Sequence, residues 1–329
     1  MIAFILGLNL LGVMSQVRKT DLPDKKAVSL KTFQDMGITE ERVRLFFESK
    51  RPWAVFFRFS FFAGFLMLIS GIAMNLLFLF GRKDIAPEKY LRIDLVPWGI
   101  MDVCRAVVIV VFSAYFLAAS GHIASRLMYF NIEPNLHMML NTFFIDVTAM
   151  FVIFYFVLLK YREKVSSLGL SFKGFYKNLS SGITAYIFVL PILVVFFIAS
   201  TLILDAIGYK SPPHPVFDIF FEEKRGGAIL FFTVFVSILG PVTEEVFFRG
   251  FLYSAVRKRF GILWGVLLSG ALFSALHANI AGFLPIMILG ALMAFLYEKT
   301  GSLVTPIAVH ILHNSIIVCF VLFIKEILR

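Results

Sequence analysis

The chain has 329 residues, 59% of them hydrophobic and 40 of them phenylalanine, with a formal net charge of +10. Soluble domains contain roughly 45–50% apolar residues, so this surplus has to be solvated by lipid, and a water-soluble globule is excluded. The positive balance suits loops facing an anionic leaflet; no soluble basic face interleaved with aromatics points to nucleic acid.

In chain order, residues 1–14 (MIAFILGLNLLGVM) are short for a span and read as an anchor, or as a span beginning at the first residue. They lack the basic n-region and small-residue cleavage site of a secretory signal. Residues 15–52 are strongly basic and predict a cytoplasmic segment containing a short helix, TEERVRLFFESK. Apolar runs follow at 54–81, 97–119, 138–159, 182–206, 227–256, 262–279, 281–297 and 303–325. They are continuous, unlike the alternation of an outer-membrane barrel, and most are long enough for the ~20 residues of a spanning helix. The expected fold is therefore all-α, a polytopic transmembrane bundle of about eight spans, in the inner (cell) membrane of a prokaryote.

Residues 160–177 (KYREKVSSLGLSFKGFYK) form a basic connector along the membrane surface, separating helices within 53–159 from a second half at 160–329. Both this connector and residues 15–52 favour the inside, yet three spans separate them. Either one span is false or one segment violates the positive-inside tendency. Within the first half, Asp102 and Arg105 are three apart and can pair on one helical face, stapling helices together. Asp146 has no evident partner and is read as structural too. Cys104 and Cys319 lie far apart in apolar segments and suggest neither a disulfide framework nor a metal site.

The second half contains Gly240-Pro-Val-Thr-Glu-Glu-Val-Phe-Phe-Arg-Gly250 inside an apolar run. An ionisable group inside the bilayer is costly and is by default a candidate for function. Glu245 and Arg249 are four apart, acid before base, and can neutralise each other on one face. Glu244 points elsewhere with no base in helical reach, which suits it to general-base work. Pro241 opens the helix and leaves backbone groups for water or side chains to satisfy. Two more apolar runs offer His277, in Phe273-Ser-Ala-Leu-His277, and His310 with Asn314, in His310-Ile-Leu-His-Asn314. Glu plus His can deprotonate a water, and His plus Asn can donate to an oxyanion. Those are the two functions that amide hydrolysis needs.

GPVTEEVFFRG, FSALH and HILHN resemble the E-E-x-x-x-R, F-x-x-x-H and H-x-x-x-N motifs of the CPBP family. This family comprises CAAX prenyl proteases and bacteriocin-processing or self-immunity (Abi) proteins. The run LGALMAFLYEKTGSLVTPIAVHILHN and the LGL connector are also similar to that family, over roughly 160–329. The resemblance implies a catalytic membrane core and an intramembrane glutamate-type endopeptidase. In it Glu244 and His277 activate the water, His310 and Asn314 form the oxyanion hole, and Glu245 and Arg249 support them. Its partners would be membrane lipids and a peptide or protein substrate, prenylated or leader-bearing; no cofactor is implied. His313 stands outside the motifs and reads as a packing residue. Catalytic zinc is the rival cofactor reading, but H-E-x-x-H is absent, and no third ligand is spaced to join His310 and His313. The rival functional class is a non-proteolytic membrane scaffold, immunity protein or transporter built on the same helices.

Overall fold

The computed structural model describes residues 38–81, 96–127, 133–209, 215–277 and 279–328. The apolar stretch 1–14, and the basic segment as far as residue 37, lie outside the described residues. Among the described residues all regular structure is helical. Helix α1 (Glu40–Glu48) is capped by Thr39, whose side chain accepts from the Arg42 amide, and has Glu40 and Glu41 in its first turn. Both features satisfy the positive N-terminal end of a helix. The longer elements are α2 (Pro52–Phe80), α3 (Ile100–Leu127), α4 (Pro134–Phe154, widening to a π-helix over Tyr155–Lys160) and α5 (Phe175–Ala206). After a short α6 (Pro215–Glu222) come α7 (Gly226–Leu276), α8 (Ile280–Thr300) and α9 (Val304–Leu328).

Seven of these helices are long and apolar enough to cross a membrane. One of them, α7, counts 51 residues. Straight, it would run about 75 Å, more than twice a hydrocarbon core of about 30 Å. It is not straight. Gly261 takes φ 81° and ψ 177°, a conformation essentially reserved for glycine, and the chain turns back there. The two limbs, 226–260 and 262–276, then pack side by side: Ser269 Oγ donates to the Phe248 carbonyl at 3.3 Å. A Cβ placed on Gly265 would sit 2.9 Å from the Tyr253 ring. The helix is therefore a hairpin of two limbs, and the seven long apolar helices among the described residues agree roughly with the eight spans expected.

Contacts at the two ends fix how the crossings alternate. At one end Lys258 donates to the carbonyls of Val96 and Pro97, at 2.8 and 3.1 Å. The connector is locked at the same end, with Tyr297 Oη donating to the Leu168 carbonyl and the Leu303 amide to that of Gly169. At the other end Phe46 of α1 and Phe57 of α2 pack on Phe323 of α9. All three spans between residues 52 and 160 stand, so the basic residues ahead of α2 and the basic connector lie at opposite ends. The positive-inside tendency is met by one of them and not by the other. Arg257, Lys258 and Arg259 share the connector's end, as the sequence predicts.

The connector does more than lie on the surface: Leu168 is fully buried, and a Cβ on Gly250 would meet it at 3.2 Å. The Asp102–Arg105 pair forms at 3.5 Å, but Arg105 is largely exposed and contributes little. Asp102 is instead held by the Lys160 ammonium, by Tyr161 Oη at 2.6 Å and by the Gly99 amide at 3.0 Å. The staple between helices is real, with partners that lie 58 and 59 residues away.

Candidate active site

Pro241 explains the local shape of α7. A proline has no N–H, so one carbonyl a turn earlier loses its helical partner. Here the preceding turn is a π-helix over Phe235–Leu239, in which the Gly240 amide bonds back to the Phe235 carbonyl. The next carbonyl in that register is Val236, and Pro241 cannot serve it. Asn314 of α9 does, donating through Nδ2 at 2.9 Å. A second π-helix covers Val246–Tyr253, and side chains cap its carbonyls as well. Ser269 serves Phe248, Ser254 serves Arg249, and Trp98 serves Phe251. Such wide turns occur often at functional sites, because they displace side chains from the regular helical positions.

Between the two π-helices lie Glu244 and Glu245, both completely buried. Arg249 is buried as well and donates through Nη1 to Glu245 Oε1 at 2.7 Å and through Nη2 to the Gly290 carbonyl of α8 at 3.0 Å. The same Glu245 oxygen accepts from His310 Nδ1 at 2.8 Å. A carboxylate can only accept, so His310 carries its proton on Nδ1 and turns Nε2 towards Glu244 Oε2, 3.7 Å away. Neither oxygen of Glu244 has a hydrogen-bond partner among the described residues. The chain Arg249–Glu245–His310 thus orients an imidazole beside Glu244.

Phe273, on the returning limb of α7, gauges the distances. Its ring centroid lies 4.6 Å from that of His277, 5.3 Å from His310 and 4.6 Å from the Arg249 guanidinium carbon. Close approach of the limb to α8 brings the ring in: a Cβ on Gly270 would be 2.8 Å from the Ala291 amide nitrogen. His277 Nδ1 donates to the Phe273 carbonyl at 2.8 Å, which leaves Nε2 as an acceptor. Glu244, Glu245, Arg249 and His310 are therefore in one contact group, with His277 across the Phe273 ring and Asn314 a turn further along α9. His313 faces away, with Nδ1 3.2 Å from Tyr186 Oη. The two histidines considered as a metal pair thus point to different neighbours. Among the described residues no three His, Cys, Asp or Glu side chains are grouped to hold a metal ion.

The family model for type II CAAX prenyl endopeptidases, Rce1-like, matches residues 226–316. Over 82 residues the chain is 32% identical to YdiL of Bacillus subtilis, covering 25% of this chain and 34% of that protein. Over 105 residues it is 32% identical to the membrane-embedded CAAX protease MroQ of Staphylococcus aureus, covering 30% of this chain and 42% of that one. The chain thus spans less than half the length of these curated relatives. No solved structure matches it. The apolar spans and the bacterial relatives mark an integral membrane protein of a prokaryotic cell membrane.

Sequence reasoning missed one participant. The Gly290 carbonyl leaves no trace in side-chain patterning, since any residue has one.

Proposed function

We propose that this chain is an intramembrane endopeptidase that hydrolyses a peptide bond with an activated water. One observation carries the reading: a fully enclosed Glu244 carboxylate, without a hydrogen-bond donor among the described residues, beside the Nε2 of an oriented His310. Leaving a buried acceptor unmatched costs about 1–3 kcal/mol, so evolution keeps one only where something else binds to it. A water accepted by Glu244 and by His277 Nε2 fits that need.

In the first step Glu244 takes one proton from the water as the water oxygen bonds to the scissile carbonyl carbon. The carbonyl π pair moves onto oxygen, for which His310 and Asn314 form the oxyanion hole. Asn314 can add its second amide hydrogen, since only one is engaged by Val236. Glu245, anchored by Arg249, keeps the His310 ring in place, as the carboxylate does in a serine-protease triad. Collapse of the adduct restores the carbonyl, breaks the C–N bond and returns the proton from Glu244 to the leaving amine. The reading takes prenylated or leader-bearing peptides as the substrate class, in keeping with the CAAX prenyl endopeptidase match over 226–316.

The test compares wild type with Glu244→Ala in native membranes, by profiling peptide termini and by cleavage of a quenched farnesylated CAAX peptide. Loss of specific termini with the protein still folded in detergent is expected. Full retention of cleavage, or of the biological phenotype, would overturn the reading in favour of a scaffold or transporter.

A further inference from the structure

We propose that the connector 160–177 is a docking surface for anionic phospholipid headgroups, and that its occupancy raises the rate at the site it is packed against. The surface stands apart from the reading of Glu244; its effect on rate rests on that reading. At the connector's end of the bundle, Asp102 is taken up by Lys160, Glu298 by Arg257, and Glu163 accepts from the Ser167 hydroxyl. Arg162, Lys164, Lys173, Lys177, Arg259 and Lys299 are exposed there without an ion-pair partner among the described residues. Arg162 is also the only non-glycine among the described residues with a positive φ, 54°. It closes the π-helix at the end of α4, where the Glu163 amide reaches back to the Val157 carbonyl at 2.8 Å. Glycine fits such a turn without strain, and an arginine does not. A strained side chain that bonds to nothing in its own surroundings points to a partner outside the chain.

What flanks the charges makes that partner a lipid. Phe172 is 86% exposed and Tyr176 84% exposed, interleaved with Lys173 and Lys177. Aromatic rings settle at the membrane–water boundary, where lysines meet negative headgroups. A soluble acidic partner would match the cations and leave both rings in water; an anionic monolayer accommodates both. The inner side of the same segment reaches the site. Leu168 packs on Gly250, the neighbour of Arg249, and Tyr297 holds its carbonyl. At the head of α9 the Leu303 amide donates to the Gly169 carbonyl at 2.9 Å, and Thr305 Oγ1 to the carbonyl of Asn178, next to Lys177, at 3.2 Å. His310 follows Leu303 by about two helical turns. Headgroups that fix the outer rim of the connector therefore steady the turns that carry Arg249 and His310.

The experiment uses the full chain in phosphatidylcholine vesicles with and without phosphatidylglycerol. The first readout is the uptake of spin-labelled phosphatidylglycerol by the protein relative to spin-labelled phosphatidylcholine. Wild type should prefer the anionic lipid by about fivefold, and added salt should shrink that preference. The triple variant Arg162→Gly/Lys173→Gln/Lys177→Gln should show no preference and unfold no more easily than wild type, since all three positions are exposed and glycine relieves the turn. Equal uptake of both lipids by wild type, or a preference that survives in the triple variant, would overturn the surface. Binding of soluble polyglutamate without any lipid preference would overturn it in favour of an acidic protein partner. The second readout is kcat/KM for the quenched farnesylated peptide. Phosphatidylglycerol should raise it about fivefold in wild type and leave the triple variant at the shared phosphatidylcholine rate, which also controls for substrate drawn to the charged membrane. Leu168→Ala should keep the lipid preference and lose the rise. No rise in wild type would overturn the coupling. Glu244→Gln should take up the lipids as wild type does, so failure of the hydrolase reading leaves the first readout standing.

Discussion

Arg249 is the residue whose removal the site can least tolerate. It has no exposed surface and satisfies both Glu245 and the Gly290 carbonyl. Arg249→Ala leaves a buried carboxylate without its counter-ion and should destabilise the protein by about 3–5 kcal/mol, measured as unfolding in detergent. The double variant Glu245→Leu/Arg249→Met should be less destabilised than that single one, because no orphan charge remains. Glu244→Gln should behave oppositely, with cleavage lost by at least a hundredfold and stability unchanged or raised. This contrast separates the two adjacent glutamates, one paired with Arg249 and one without a hydrogen-bond partner among the described residues. Their division was legible in the sequence, because an i,i+4 acid–base pair is a local rule that survives widening of the following turn into a π-helix. The tie from Asn314 to Val236 was not legible. It joins residues 78 apart, and its acceptor is a carbonyl that becomes available only through the register of the turn before Pro241.

At the scale of elements, the wide turns of α7 set what the site can present. Pro241→Ala supplies an N–H that can occupy the carbonyl now held by Asn314, releasing that side chain. The expected outcome is a fall of about tenfold in kcat, equivalent to about 1.4 kcal/mol of barrier, with no loss of thermal stability. The hairpin of α7 depends on Gly261, and Gly261→Ala should cost about 1–3 kcal/mol, read from the unfolding midpoint, since its backbone angles exclude a side chain. The sequence located the two limbs as separate apolar runs because a basic turn and a glycine lay between them. Which neighbours each limb would touch was beyond it: small residues such as Gly270 and Gly290 state that a close approach occurs, and not with whom.

For the whole molecule, the ends of the bundle differ in chemistry. Near the end with α1, Arg225 holds Glu223 through two side-chain bonds at 2.9 and 2.7 Å, and that carboxyl is pulled down to about 2 by this hydrogen bonding. A carboxyl depressed in the folded state stabilises the fold above the ordinary carboxylate range. That contribution is lost as pH falls from about 4.5 towards about 2. Wild type and Glu223→Gln should therefore differ in unfolding midpoint at neutral pH and converge at the acid end of that window. Topology offers another check: cysteines placed at Arg51 and Lys173 should label with an impermeant reagent from opposite faces of oriented vesicles. Charge counting alone could not say whether the two segments share a face, since both are basic; the contacts of Lys258 and Phe323 put them at opposite ends. Finally, the ring of Phe273 acts as a feeler gauge of fixed thickness, inserted between two imidazoles and a guanidinium from three different rods. A spacer made of carbon neither titrates nor responds to salt, so the separation of those three groups should stay constant across ionic strengths that would loosen any arrangement set by charge.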